Sequence, residues 1–96
     1  MSAFIVATST IKDPEKMQEY AQKSMATIAA FGAELVVRGV YDRTLTGDKP
    51  HSSVAVIRFP NSDSLNRWYS SDAYQQLTGL REAAADITLT AYQVPA

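Results

Sequence analysis

The sequence predicts an α+β fold with the element order β-α-β-β-α-β, and three observations predict it. Four segments are apolar or alternating over strand lengths: AFIVAT, ELVVRGVY, SVAVIRF and ITLTAYQV. Between the first and second, and again between the third and fourth, apolar residues recur at three- and four-residue steps. Between the second and third there is only a polar loop. Two strands joined directly, each flanked by a strand-helix unit, form the split βαβ arrangement called ferredoxin-like, an antiparallel four-stranded sheet with both helices on one face.

Each element follows from local chemistry. Ala3 to Thr8 is β-branched and too short for a helix, and Asp13-Pro14 then places a capping acid ahead of a proline at the first helical position. Met17, Tyr20, Ala21, Ser24, Ile28 and Phe31 mark the inner face of the first helix, and Gly32 stands where a left-handed cap would end it. The connection Asp42 to Ser52 is longer than an ordinary hairpin loop. Asn61 with Asp63 opens a helix through Tyr69. Ser71-Asp72 restarts it, and this second segment runs to about Ala85, with Tyr74, Leu77, Thr78 and Arg81 on one side. ITLTAYQV closes the sheet as an alternating strand.

A chain of 96 residues buries too little surface for a thick core, and nothing divides it, so residues 1–96 read as one domain. Nine basic and ten acidic residues are spread without blocks, giving a net charge of −1 and no footprint for nucleic acid or an anionic membrane. Without cysteine there is no thiolate nucleophile and no thiolate metal site. MSAFIVATST lacks a basic start, and no apolar run approaches membrane-spanning length, so a cytoplasmic protein without a membrane partner is expected.

The sheet is expected to need cover on both sides. Phe4 and Val6 oppose Ala3, Ile5 and Ala7; Val36 and Val40 oppose Leu35 and Val37; Val54 and Val56 oppose Ala55, Ile57 and Phe59. Helices cover one face, and the other would be an apolar patch of the kind that marks an interface. The expected assembly is a homodimer whose two sheets face each other as a dimeric α+β barrel.

Asp13-Pro14, Tyr20, Phe31-Gly32, Arg38-Gly39, Phe59-Pro60 and the segment Trp68-Tyr69, Ser71, Tyr74 and Arg81 together resemble the small bacterial family called domain of unknown function thirteen-thirty. The resemblance spans nearly the whole chain and implies the dimeric α/β-barrel superfamily. Other branches of that superfamily include cofactor-free quinone-forming monooxygenases, muconolactone isomerase-like enzymes and haem-binding chlorite dismutases. Members commonly have a glutamate before Phe-Pro, an acid before the loop glycine and an arginine at the start of the third strand. Arg58, Thr46 and Ser53 stand there instead.

Five residues are candidates for binding a ligand: Arg38, Arg58, Tyr69, Tyr74 and His51. Arg38 and Arg58 share strand parity with Val36, Val40, Val54 and Val56, which places both on one face, with Glu34 as the nearby acid for an ordinary ion pair. Guanidinium suits planar anions. Trp68 reads as core, whereas Tyr69 and Tyr74 are evenly balanced between core and pocket wall. Histidine is the residue type suited to proton transfer at neutral pH, but His51 lies in the polar loop and reads as solvated. Hydrolase, nucleotide-binding and metal motifs are lacking, and no cofactor is expected. The function expected is binding or acting on a small apolar or aromatic carbonyl or carboxylate compound. The alternative is a non-catalytic dimeric structural or stress-related protein with a filled core.

Overall fold

The structure is a computed structural model describing residues 1–48 and 51–95; Lys49 and Pro50 of the long connection, and Ala96, lie outside the described residues. Strands β1 (Ala3–Ile11), β2 (Glu34–Val40), β3 (Ser53–Phe59) and β4 (Ala85–Gln93) form one antiparallel sheet in the order β2-β3-β1-β4. Helix α1 (Pro14–Ile28) follows β1, and α2 (Ser62–Ser70), α3 (Asp72–Gln75) and α4 (Thr78–Ala84) lie between β3 and β4. The fold is the ferredoxin-like α+β arrangement that the element order predicts. The helix expected from Ser71 to Ala85 is broken into α3 and α4: the Gln76 amide still reaches the Asp72 carbonyl at 3.0 Å, but the Leu77 amide turns to the Tyr74 carbonyl at 2.8 Å, a bond one residue shorter than the α-helical one.

The caps explain where the helices start. The Asp13 carboxylate accepts from the Lys16 amide at 3.2 Å and Pro14 opens α1, while Asn61 Oδ1 accepts from the Ser64 amide at 2.8 Å at the head of α2. After a 3₁₀ turn at Ala29–Phe31, Gly32 takes φ 71°. A side chain there would be strained by that φ, and its first carbon would stand 3.1 Å from Pro60 Cγ.

Alternation along β1 divides the sheet. Ala3, Ile5, Ala7 and Ser9 face the helices, in register with Phe59, Ile57, Ala55 and Ser53 on β3. Phe4, Val6 and Thr8 face the other side, in register with Arg58, Val56 and Val54. On β2 the alternation is interrupted. Leu35 opposes Ile57 but Val37 opposes Val56, so Val36 is an extra residue, a β-bulge. Beyond it every side chain changes face, and Arg38 opposes Ala55 on the helix side. The expectation that Arg38 and Arg58 share a face is therefore corrected, as is the grouping of Val36 and Arg38 with Val54 and Val56: the open face carries Val37 instead.

The core gathers around an aromatic group. Trp68 is 2% exposed, with its ring 4.2 Å from that of Tyr74 and 5.5 Å from that of Phe59, and its Nε1 donates to Thr27 Oγ1 at 2.8 Å. Truncation of Trp68 to alanine is expected to cost on the order of 3 to 5 kcal/mol, the range for deleting a large buried ring. Trp68→Phe keeps most of the packing and removes the Nε1 hydrogen bond, while the Thr27 hydroxyl still donates to the Ser24 carbonyl at 2.6 Å, so the expected cost is that of one hydrogen bond, about 0.5 to 1.5 kcal/mol. Urea unfolding of both variants checks this; equal losses would mean that the indole nitrogen, not the ring, carries the effect.

Candidate functional site

A cleft of about 730 Å³ lies between α1 and the helix side of the sheet. Its size is that of a small-molecule pocket. Ala7, Ser9, Ser53 and Ala55 give it a floor of small side chains; Met17, Ala21, Ser24 and Met25 on α1 form the roof. Ile5, Ile28, Ile57 and Trp68 close the end nearest the core. At the open end Leu35, Arg38 and the 85% exposed Val40 stand on the edge strand β2.

Arg38 reaches this mouth because of the bulge. Among the described residues it is also the one arginine without a hydrogen-bonding side chain beside it. Arg43 pairs with Asp42, Arg58 with Glu34, Arg67 with Asp63, and Arg81 donates to the Tyr74 hydroxyl at 2.9 Å. No Asp, Glu, His or Lys is among the described residues lining the cleft. The cleft can thus hold an apolar body and an anionic or carbonyl group, and it has no side chain suited to act as a general base at neutral pH.

The other residues singled out from the sequence fall elsewhere. Arg58 lies on the open face and forms the ion pair with Glu34 that cross-strand register dictates. Tyr74 is fully buried, and its hydroxyl shares a 2.7 Å hydrogen bond with the Tyr20 hydroxyl. Tyr69 is 42% exposed and borders a smaller hollow, of about 360 Å³, with Leu65, Asn66 and Leu89. His51 is less solvated than a loop position suggests: Nδ1 shares a 2.8 Å hydrogen bond with Thr10 Oγ1, and Nε2 lies 3.4 Å from Thr88 Oγ1. The structure brings Tyr69 and Tyr74 together, with ring centroids 5.7 Å apart, and gathers neither Arg58 nor His51 with Arg38. Sequence reasoning missed Ser9 and Ser53, whose hydroxyls meet at 2.7 Å on the cleft floor. A serine on the core-facing parity of each of two apolar strands was the available signal.

The sequence profile of the family described as Domain of unknown function (DUF1330) matches residues 2–94. The chain belongs to this family. Among curated proteins, no sequence matches it. Among solved structures, the fold is similar to that of RPA0582, a protein of unknown function from Rhodopseudomonas palustris, with 16% identity, a TM-score of 0.82, and coverage of 99% of this chain and 83% of that one. It is also similar to SnoaB, a cofactor-independent oxygenase from Streptomyces nogalater, with 14% identity, a TM-score of 0.71, and coverage of 99% and 94%. A dimeric ferredoxin-like protein of unknown function from Jannaschia sp. CCS1 aligns at 12% identity with a TM-score of 0.69, over 98% of this chain and 100% of that one. At these identities the likeness is one of fold. Among the described residues no helix of this DUF1330 chain is long and apolar enough to cross a membrane, and no three His, Asp or Glu side chains are grouped to hold a metal ion.

Burial first, and then the hydrogen bond to Tyr74, push the Tyr20 phenol well above its usual range near 10. A raised phenol pKa favours folding below the unfolded value, so this contribution is intact below about pH 10 and is lost as pH rises beyond it. Tyr20 is thus expected to stay protonated while the chain is folded. Phenolate absorbance of the wild type minus that of Tyr20→Phe checks this during an alkaline titration. A Tyr20-dependent signal near pH 10 from folded protein would contradict it.

Proposed function

We propose that this DUF1330 protein binds a small, mainly apolar ligand bearing a carboxylate or polarised carbonyl in the cleft under α1, with Arg38 holding the oxygen atoms. One observation carries the reading: a bulge turns an arginine with no carboxylate partner among the described residues into the mouth of an apolar cleft. Bulges occur next to active sites because they re-aim single side chains, and a guanidinium's forked donors match planar anions. Arg38 is exposed at this mouth, so its contact with an anion gains strength over one in open water only as far as the ligand itself excludes water.

Binding is the centre of the proposal, and catalysis would depend on the ligand. SnoaB is a cofactor-independent oxygenase on the same fold. In this cleft, Tyr20 is held protonated and no carboxylate or imidazole lines the described wall. A cofactor-free reaction here would need a substrate that readily releases its own proton, with Arg38 stabilising the resulting oxyanion. Tyr69, Tyr74, His51 and Arg58 have no direct part in this reading.

The assembly proposed is a homodimer through the open sheet face. Phe4, Val6, Val37, Val54 and Val56 make that face apolar, with the Glu34–Arg58 pair on the β2 side and Tyr92 stacked on Phe4 at 5.2 Å toward β4. A partner sheet would cover it and leave the cleft free on the far side. The dimeric Jannaschia protein supports this by analogy of fold.

A thermal-shift screen of aromatic carboxylates, quinols and lactones tests the ligand. A binder at about one hundred times its Kd should stabilise the protein by about 2.7 kcal/mol. Arg38→Ala is expected to abolish the shift for carboxylates and Arg38→Lys to retain part of it. If no compound raises the midpoint, or if every binder ignores Arg38→Ala, the assignment is wrong.

Light scattering at micromolar concentration should give twice the chain mass, and Val56→Lys should halve it while Trp68 fluorescence stays native. A wild-type monomer under those conditions would overturn the proposed assembly.

A further inference from the structure

We infer that the ligand of this cleft has two polar ends: an anionic group held by Arg38 and a hydroxyl held by the Ser9–Ser53 pair. The inference rests on the cleft being a small-molecule site, as proposed above, and adds a second recognition element and a ligand shape.

Ser9 is the only buried residue outside the hydrophobic set among the described residues, and it sits on the β1 face that otherwise carries Ala3, Ile5 and Ala7. A buried hydroxyl in an apolar face is retained at a desolvation cost and has to be hydrogen-bonded. Here it meets Ser53 at 2.7 Å, and Ser53 Oγ also donates to the Ser9 carbonyl at 3.3 Å. In that arrangement both hydroxyl hydrogens are used within the pair, and Ser9 Oγ keeps lone pairs for a donor in the cleft. If Ser53 rotates to donate to Ser9 Oγ, the Ser9 hydrogen is released to donate instead. A ligand hydroxyl, which both gives and accepts, is matched by either arrangement.

The spacing sets the ligand's shape. Ser53 precedes Arg38's cross-strand partner Ala55 by two residues on the same face. The two are thus diagonal neighbours, about 7 to 8 Å apart at Cα. Between and beside them Ala55 and Ala7 contribute only methyl groups, so a flat body can lie on the sheet. Above it Met17 and Met25 offer flexible thioethers that accommodate a ring. The ligand class is a planar apolar scaffold with a carboxylate at one end and a hydroxyl toward the other. The serine pair is already satisfied internally, so an analogue without the hydroxyl leaves nothing unpaired. Discrimination should then be that of one hydrogen bond, about tenfold.

Calorimetric titration with 6-hydroxy-2-naphthoate, 2-naphthoate and 6-methoxy-2-naphthoate tests this on the full chain. The hydroxy compound should bind wild type about tenfold tighter than 2-naphthoate, and the methoxy compound, which can accept but not donate and so is matched by only one of the two serine arrangements, should gain less than the hydroxy compound. In Ser9→Ala/Ser53→Ala the preference should fall to about twofold or less while 2-naphthoate affinity holds, since removing both partners leaves no orphaned hydroxyl. Equal binding of the hydroxy and unsubstituted naphthoates by wild type overturns the inference, and so does a preference that survives the double substitution. The ligand comparison on wild type decides the matter even if the double variant does not fold. Arg38-dependent binding of 2-naphthoate without a hydroxyl preference would sink the serine contact alone. If no naphthoate binds wild type, this inference and the underlying reading of the cleft both fail.

Discussion

A buried phenol oxygen needs partners, and those of Tyr74 come from two other helices. Tyr20 on α1 shares a hydrogen bond with it, Arg81 on α4 donates to it, and the Trp68 ring on α2 packs on its ring. Leaving such a group unsatisfied costs about 1 to 3 kcal/mol, a large fraction of the stability of a domain this small. The contact therefore fixes the helices relative to one another. The Trp68 nitrogen adds a second tie to α1 through Thr27. With α1 held along its length by these ties, the sheet beneath it cannot close the remaining gap, because its side chains there are alanine and serine. The cleft follows from a rigid helix layer above small floor residues.

The same geometry shows which features could be read in the sequence. Asp13-Pro14, Gly32, Asn61 and Ser71 act through their own backbone neighbours, so local chemistry was enough to place the helix ends. The order of elements along the chain followed from the alternation and the lengths of the connections. The face of Arg38 did not. Leu35, Val36 and Val37 are apolar on both parities, so inserting one residue moves no polar side chain into the core until Arg38 itself, and the pattern contains nothing that fixes the register. Tyr69 and Tyr74 were inseparable for a related reason. Tyr69 adjoins Trp68 on one helix and is turned about 100° from it, but only the break at Ser71, which re-aims α3, determines that Tyr74 points inward.

The sheet divides its work between its two sides. Apolar side chains dominate the open face at β1, β2 and β3, where Glu34 and Arg58 neutralise each other, and β4 contributes Thr88, Thr90 and Tyr92. His51 belongs to this face through Thr10 and Thr88, which explains why a loop histidine is only partly exposed. Any ligand chemistry on the helix side is thus separated from the chain's one histidine by the thickness of the sheet. That separation, more than the residue inventory, favours binding over acid-base catalysis.

Arg38 has a competing explanation that the geometry addresses. Edge strands commonly carry a charged side chain aimed inward to block pairing with another sheet, and β2 is an edge. Such a gatekeeper requires a charge near the edge and nothing more. It does not require the adjacent floor to be reduced to Ala7 and Ala55, nor a serine pair two residues along the same face with the Ser9 hydroxyl buried. Filling that floor with larger apolar side chains would bury more surface, at roughly 25 cal/mol per Å², and would leave the edge charge in place. A sequence selected only for a closed and soluble sheet would be expected to take that stability. The open floor beside an arginine that no acid among the described residues neutralises is what a binding site requires, and an edge guard does not.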